Sequence, residues 1–212
     1  MRNSKVLEML NNGQIEQLKA ELEDEIYQES LTGKPNAKKR YAAMKKYLKN
    51  SDSGREILQK PCMVDFEGDQ YAAFCNAYTL ALTTETCGEI PMCEEPDRYP
   101  NVTRMISYNG DEGTIDFADV LAKAKSKGYK FKKSEIGFDY KYLMKYDGAY
   151  FKIGLIDVTY GVIDDGKEAT VYHRKGDSKH PLTIKNDIGV CVIMPMRIDG
   201  SPSEDITVIS VD

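Results

Sequence analysis

The chain has 212 residues and a net charge of −5, with 41% hydrophobic and 30% charged residues. That is enough to bury a real core, and the mix is ordinary for a folded protein. No apolar run approaches the roughly 20 residues of a membrane helix, and residues 1–10 lack the apolar centre of an export signal, so no membrane partner and a cytoplasmic address are expected.

Residues 4–29 read as two helices. Val6, Leu7 and Leu10 share one face; Ile15, Leu18, Leu22 and Ile26 recur at helical spacing; Asn11-Asn12-Gly13 interrupts them. Residues 1–30 carry seven acids against Arg2, Lys5 and Lys19. Gly33 and Pro35 close this extension, assigned to residues 1–33. Residues 36–49 read as the next helix, with Tyr41, Met44 and Leu48 as its apolar stripe. Between residues 34 and 50 stand seven basic residues and no acid, Lys38, Lys45 and Lys49 among them. Ser51 to Gly54 then breaks the helix.

From Ile57 the period falls to about two. Met63 to Phe66 and Gln70 to Phe74 flank Glu67-Gly68-Asp69 as a hairpin, and Tyr78 to Thr83 continues as a third strand. Residues 85–100 hold Gly88, Pro91, Pro96 and Pro100 and read as loop. Asp116 to Lys127 reads as a helix ended by Gly128, within a segment (116–133) of six lysines against two acids. A helical turn is expected around Tyr140 to Lys145. Strands are expected at Tyr150 to Ile156, Thr159 to Ile163, Ala169 to His173, Leu182 to Asn186 and Gly189 to Met194, with a turn at Asp164-Asp165-Gly166. The tail, residues 199–212, alternates at Ile206 and Val208 and suits an edge strand. Helices and strands come in blocks, which predicts an α+β fold with a largely antiparallel sheet.

Five cysteines without a Cys-x-x-Cys pair argue against both a disulfide framework and a zinc knuckle. No phosphate loop is present, and Asp164-Asp165-Gly166 lacks the further ligands of a calcium loop. No metal and no cofactor are expected. Cys75 with His173 or His180 is the one nucleophile pattern worth weighing, a cysteine hydrolase. Its flanks read as strand, and His173 and His180 sit at a strand end and before Pro181.

Several segments, in order, carry a family resemblance. Arg55 to Lys60 follows a helix; Val64 to Tyr71 runs on through Ala77 to Ala81; Tyr99-Pro100-Asn101-Val102 precedes an apolar pair; Phe138-Asp139-Tyr140-Lys141-Tyr142-Leu143 stands before Cys191-Val192-Ile193-Met194-Pro195-Met196-Arg197-Ile198. Together, over roughly 36–198, these resemble the DNA sliding-clamp domain of the bacterial DNA polymerase III beta subunit family. Members of that family carry three such domains per chain, whereas this chain has room for one, at residues 34–198.

The resemblance implies a non-catalytic replication accessory, a processivity factor that encircles duplex DNA and tethers DNA polymerase and other partners by short peptides. A ring would then require an oligomer. Basic helices would face phosphates without reading bases, which nominates Lys38, Lys45, Lys49, Lys123 and Lys127. The partner-peptide pocket would be walled by Met194, Pro195, Met196 and Arg197, where methionine repacks easily around different ligands. The alternative within the same resemblance is a monomeric interaction or decoy protein, its acidic residues 16–29 covering the basic helix.

Overall fold

A computed structural model describes residues 3–34, 36–50, 55–85, 87–132, 140–198 and 200–211. The expected breaks at Pro35 and 51–54, the basic Lys133, and Phe138 and Asp139 of the resemblance lie outside the described residues. Helices α1 (Asn3–Asn11) and α2 (Ile15–Ser30) form the N-terminal hairpin, and α3 (Ala37–Asn50) follows. Strands β1 (Cys62–Phe66), β2 (Asp69–Cys75) and β3 (Thr79–Thr83) form a meander; β4 (Asp111–Ile115) and α4 (Phe117–Ser126) come next. Then come β5 (Tyr142–Tyr146), β6 (Ala149–Lys152), α5 (Ile153–Thr159), the meander β7 (Ala169–His173), β8 (Leu182–Lys185) and β9 (Gly189–Ile193), and finally β10 (Thr207–Ser210). No helix among the described residues is long and apolar enough to cross a membrane.

The large sheet has the order β1-β2-β3-β9-β8-β7-β4. Its centre is the antiparallel pair β3–β9, in register from Thr79 opposite Ile193 to Thr83 opposite Gly189. Each side of that pair is a helix followed by a three-stranded meander: α3 with β1-β2-β3, and α5 with β7-β8-β9. The topology is therefore two-fold about the β3–β9 seam, with β4 added outside β7. A second sheet, β10-β5-β6, contains a parallel pair, β10 with β5. The fold is mixed helix and sheet, mostly antiparallel, as the sequence predicts.

The central strands are buried on both faces, so β3 and β9 show no in–out alternation. On one face Tyr41, Met44 and Tyr47 of α3 and Ile156 and Tyr160 of the α5 segment pack on Phe74, Ala81, Cys191 and Ile193. The other face is closed by Leu58, Tyr99 and Val102 over Leu80, Leu82 and Val192. Tyr47 ties α3 to the seam, its hydroxyl donating to the Thr79 carbonyl at 3.1 Å. Tyr99 ties the covering loop to the neighbouring strand β2, donating to the Ala73 carbonyl at 3.1 Å.

Local signals account for most elements. Glu67 and Gly68 both take positive φ, 53° and 92°, in the two-residue turn joining β1 to β2. Asp116 caps α4, its carboxylate accepting from the Asp119 N–H at 3.0 Å.

Four expectations fail in residues 140–166. Tyr140 to Lys145 is not a helical turn: Tyr142–Tyr146 is strand, closed onto β6 by Asp147-Gly148 with φ of 47° and 81°. The strand expected to reach Ile156 stops at Lys152, and α5 starts at Ile153. Thr159 to Ile163 is not strand but the end of α5 and a 3₁₀ turn, Tyr160–Val162. The reason is burial: six of the seven residues of α5 are buried, and an element buried all round shows no periodicity to separate helix from strand. Asp164-Asp165-Gly166 is accordingly not a hairpin turn. Asp164 Oδ1 accepts from the Gly166 N–H at 2.9 Å and Asp165 Oδ1 from the Lys167 N–H at 3.0 Å, so both side chains shape the passage from the 3₁₀ turn into β7.

Candidate nucleic-acid and partner-binding surfaces

Helix α3 turns Ala37, Arg40, Tyr41, Met44 and Tyr47 inward. Its 3.6-residue period leaves Lys38, Lys45 and Lys49 on the exposed side. Lys38 and Lys49 have no acidic partner among the described residues, whereas Lys45 has Asp24 of α2. Its Nζ donates to both Asp24 oxygens, at 3.0 and 2.9 Å. Tyr41 donates its hydroxyl to Asp24 Oδ1 at 2.7 Å, and Tyr27 packs edge-on against Tyr41 at 4.7 Å between ring centres. Burial alone would raise the Asp24 pKa; the hydrogen bonds from Lys45, Tyr41 and Gln28 outweigh it and hold the carboxyl below its usual range. The acidic extension therefore touches the basic helix at one of its three nominated lysines.

The second basic segment behaves differently. Lys123 pairs with Asp119 one turn back at 2.7 Å, and Lys127 lies exposed at the end of α4, where its carbonyl accepts from the Tyr142 hydroxyl at 3.3 Å. The side chains of α3 and α4 that converge are others. A groove of about 300 Å³ is lined by Lys39, Ala43 and Lys46 of α3, Leu121 and Lys125 of α4, and Asp157, Gly161 and Asp164. Lys39 is paired with Asp164, and Lys46 with Asp157 at 2.7 Å. Lys46 Nζ also sits 3.7 Å from the centre of the Phe131 ring. None of the five nominated lysines lines this groove. The charged residues of the α5 segment that line it are acids, Asp157 and Asp164.

Close approach of α3 to the α5 segment depends on Gly161, where an added Cβ would stand 3.0 Å from the Ala43 Cβ. Arg40, buried beneath α3, reaches Glu85 at 2.5 Å and the Asp164 carbonyl at 3.1 Å. It is a structural cation rather than a surface one.

Met194 to Arg197 leaves the end of β9 and crosses to the smaller sheet. The Met194 N–H donates to the Tyr78 carbonyl at 3.0 Å, and the Met196 N–H to the Tyr150 carbonyl at 2.7 Å. Met194 is 37% and Tyr78 48% exposed, an apolar pair at the surface. Pro195 and Met196 are half-buried and Arg197 is exposed. Lys152 lies beneath, its Nζ 5.8 Å from the Tyr78 ring centre and 4.9 Å from that of Tyr140, and burial lowers its pKa. Tyr78 and Lys152 are the residues that sequence reasoning missed here. Tyr78 reads simply as strand, and nothing in the sequence marks its contact with position 194. The tail then continues into β10 on the edge of the smaller sheet.

Cys75 is buried on β2, and its thiol donates to the Asn76 carbonyl at 3.4 Å. Burial pushes the thiol up to about 11, the reverse of what a nucleophile requires. His173 is fully buried, its Nε2 3.1 Å from the His180 carbonyl, and His180 Nδ1 lies 2.9 Å from the Pro181 carbonyl. A second groove, about 290 Å³, lies among Glu56, Lys60, Cys93, Glu94 and Arg98.

These observations define a mixed α+β domain with two helices on one face of a two-fold sheet. No family model matches the chain, and no curated protein matches it. Among solved structures, the DNA polymerase III beta subunit of Thermotoga maritima aligns at 12% identity with a TM-score of 0.32, over 63% of this chain. The aligned part spans 43% of that subunit's chain. A likeness this loose decides nothing about DNA or partners.

Proposed function

We propose that this chain is a sliding-clamp-like accessory protein of DNA replication, cytoplasmic and non-catalytic, which contacts duplex DNA through α3 and partner peptides through the Tyr78–Met194 surface. The observation that carries this reading is the placement of α3: packed beside α5 on one face of a two-fold sheet, with a row of lysines turned away from that sheet. Such a row attracts phosphates without selecting sequence, which is what a sliding contact requires. The exposed Met194 offers an adaptable apolar anchor for short peptides.

A second reading is favoured by a specific contact. Asp24 occupies Lys45, and the α5 segment presents Asp157 and Asp164 where a second basic helix would be wanted. On that reading the chain keeps the domain for protein contacts alone, as a monomer that does not bind DNA.

The deciding experiment is solution mass by light scattering, with and without duplex DNA, at low and moderate salt. The first reading expects a DNA complex that weakens steeply with salt, with self-association if a ring forms. A monomer indifferent to DNA would overturn it in favour of the second.

A further inference from the structure

The N-terminal hairpin leaves an apolar face uncovered. Five of the eight large hydrophobic residues exposed among the described residues lie on the two helices of the hairpin: Leu7, Leu10, Ile15, Leu22 and Ile26. Ile15 and Ile26 are 60% and 66% exposed, while Met9 and Leu18 are buried. The helical period sets Leu7 and Leu10 one turn apart on α1 and aligns Ile15, Leu22 and Ile26, spaced by seven and four, along α2. Lys5 of α1 reaches Glu21 of α2 at 2.5 Å, which fixes the two helices as antiparallel neighbours. From that contact, Leu7, two residues and about 200° round α1 from Lys5, turns away from α2, so the docking face is the α2 row of Ile15, Leu22 and Ile26 with Leu10 at its border.

Charge defines what fits there. Glu16 and Glu23 border the α2 row on one flank, Glu25 and Glu29 on the other, and the only lysine between them, Lys19, lies 3.9 Å from Glu23. A seam spaced seven and four is completed by another helix, and flanking charges select its sign. A second copy would bring acid against acid, and an anionic lipid surface would be repelled in the same way. We infer that the exposed α2 row, with Leu10 at its border, docks a basic amphipathic helix of a partner protein.

The test uses the full chain and two synthetic amphipathic helices of about five turns. Both carry leucines at i, i+4, i+7 and i+11; one has lysines beside them, the other glutamates. Fluorescence anisotropy is expected to show saturable binding of the lysine peptide only, weakened by salt. The double substitution Leu22→Ser with Ile26→Ser should lower affinity at least about tenfold, and Glu23→Lys with Glu29→Lys should do so while flattening the salt dependence. All four side chains are at least partly exposed, and an unchanged circular dichroism spectrum would confirm folding. Equal binding of both peptides, no binding, or a dimer in light scattering that Leu22→Ser with Ile26→Ser abolishes would each overturn the inference.

Discussion

Asp24 and Lys45, 21 residues apart, join the acidic extension to the basic helix, with both carboxylate oxygens on Nζ at 2.9 and 3.0 Å. The pair is partly solvated, so its contribution to stability is small. Its consequence is for the surface: it takes one cation out of the row available to phosphate. Asp24→Ala should therefore strengthen duplex binding a few-fold at low salt and steepen the salt dependence by about one unit of log–log slope. Asp24→Lys should do more. Anisotropy titrations of a labelled duplex at several salt concentrations measure this directly. Unchanged binding in both variants would mean that α3 is not a nucleic-acid surface.

The β3–β9 seam makes a sharper demand on backbone. At Gly189 an added Cβ would fall 1.9 Å from the Leu82 carbonyl oxygen, in the middle of the sheet. Gly189→Ala is expected to cost more than about 4 kcal/mol and to lose the fold at ordinary temperature. Gly161→Ala meets only the Ala43 Cβ at 3.0 Å, on α3, and should cost about 1–3 kcal/mol. Urea denaturation of the two variants separates these outcomes. Equal, small losses would mean that the seam is looser than its register implies.

How far the fold is legible varies by element for physical reasons. Helix α3 is readable because only one side is buried, so Tyr41, Met44 and Leu48 recur at helical spacing, although Tyr47 is the residue fully buried there and Leu48 only partly. The β1–β2 turn is readable because Gly68 at φ 92° follows a polar residue between alternating strands. The same kind of turn signal stands at Asp147-Gly148, but the expectation of a helical turn over Tyr140 to Lys145 hid it. Helix α5 is unreadable because its burial is nearly complete. The candidate surfaces divide the same way. The lysines of α3 are visible as a charge row, but their pairing is not: Lys45–Asp24 and Lys46–Asp157 depend on packing between segments 21 and 111 residues apart. Met194 is visible through the resemblance, while its exposed neighbour Tyr78 is adjacent only through the β3–β9 register.

Thiol reactivity should follow burial. Cys62, Cys75 and Cys87 are pushed up to about 11 and Cys191 well above the ordinary thiol value, all chiefly by burial. Cys93 alone is half-exposed, lining the groove beside Lys60 and Arg98. Iodoacetamide near neutral pH should label Cys93 first and leave Cys75 unmodified until the chain unfolds, as read by peptide mass spectrometry. Rapid labelling of Cys75 in the folded protein would reopen the thiol-hydrolase reading.

His173 supplies the pH dependence. Its ring is fully buried, with Phe151 and His180 edge-on at 5.7 and 5.6 Å between centres. Burial lowers its pKa below the usual 6.5 and the His180 charge lowers it further, while Asp147, 3.9 Å from Nδ1, and Asp177 pull the other way without prevailing. Because the folded pKa lies below the unfolded one, the unfolded chain takes up the proton first as pH falls. Stability is thus complete above about 6.5 and declines as pH drops through the depressed folded value. Asp24, a carboxyl held below its usual range, adds its own loss only in more acid solution, below about 4. Thermal melts from neutral pH downward should show Tm falling in the window just below about pH 6.5, above the ordinary carboxylate range. His173→Gln should be less stable at neutral pH, because the contact with the His180 carbonyl is disturbed, yet show a flatter profile across that window. An unaltered slope in His173→Gln would assign the loss to another group and remove His173 as its source.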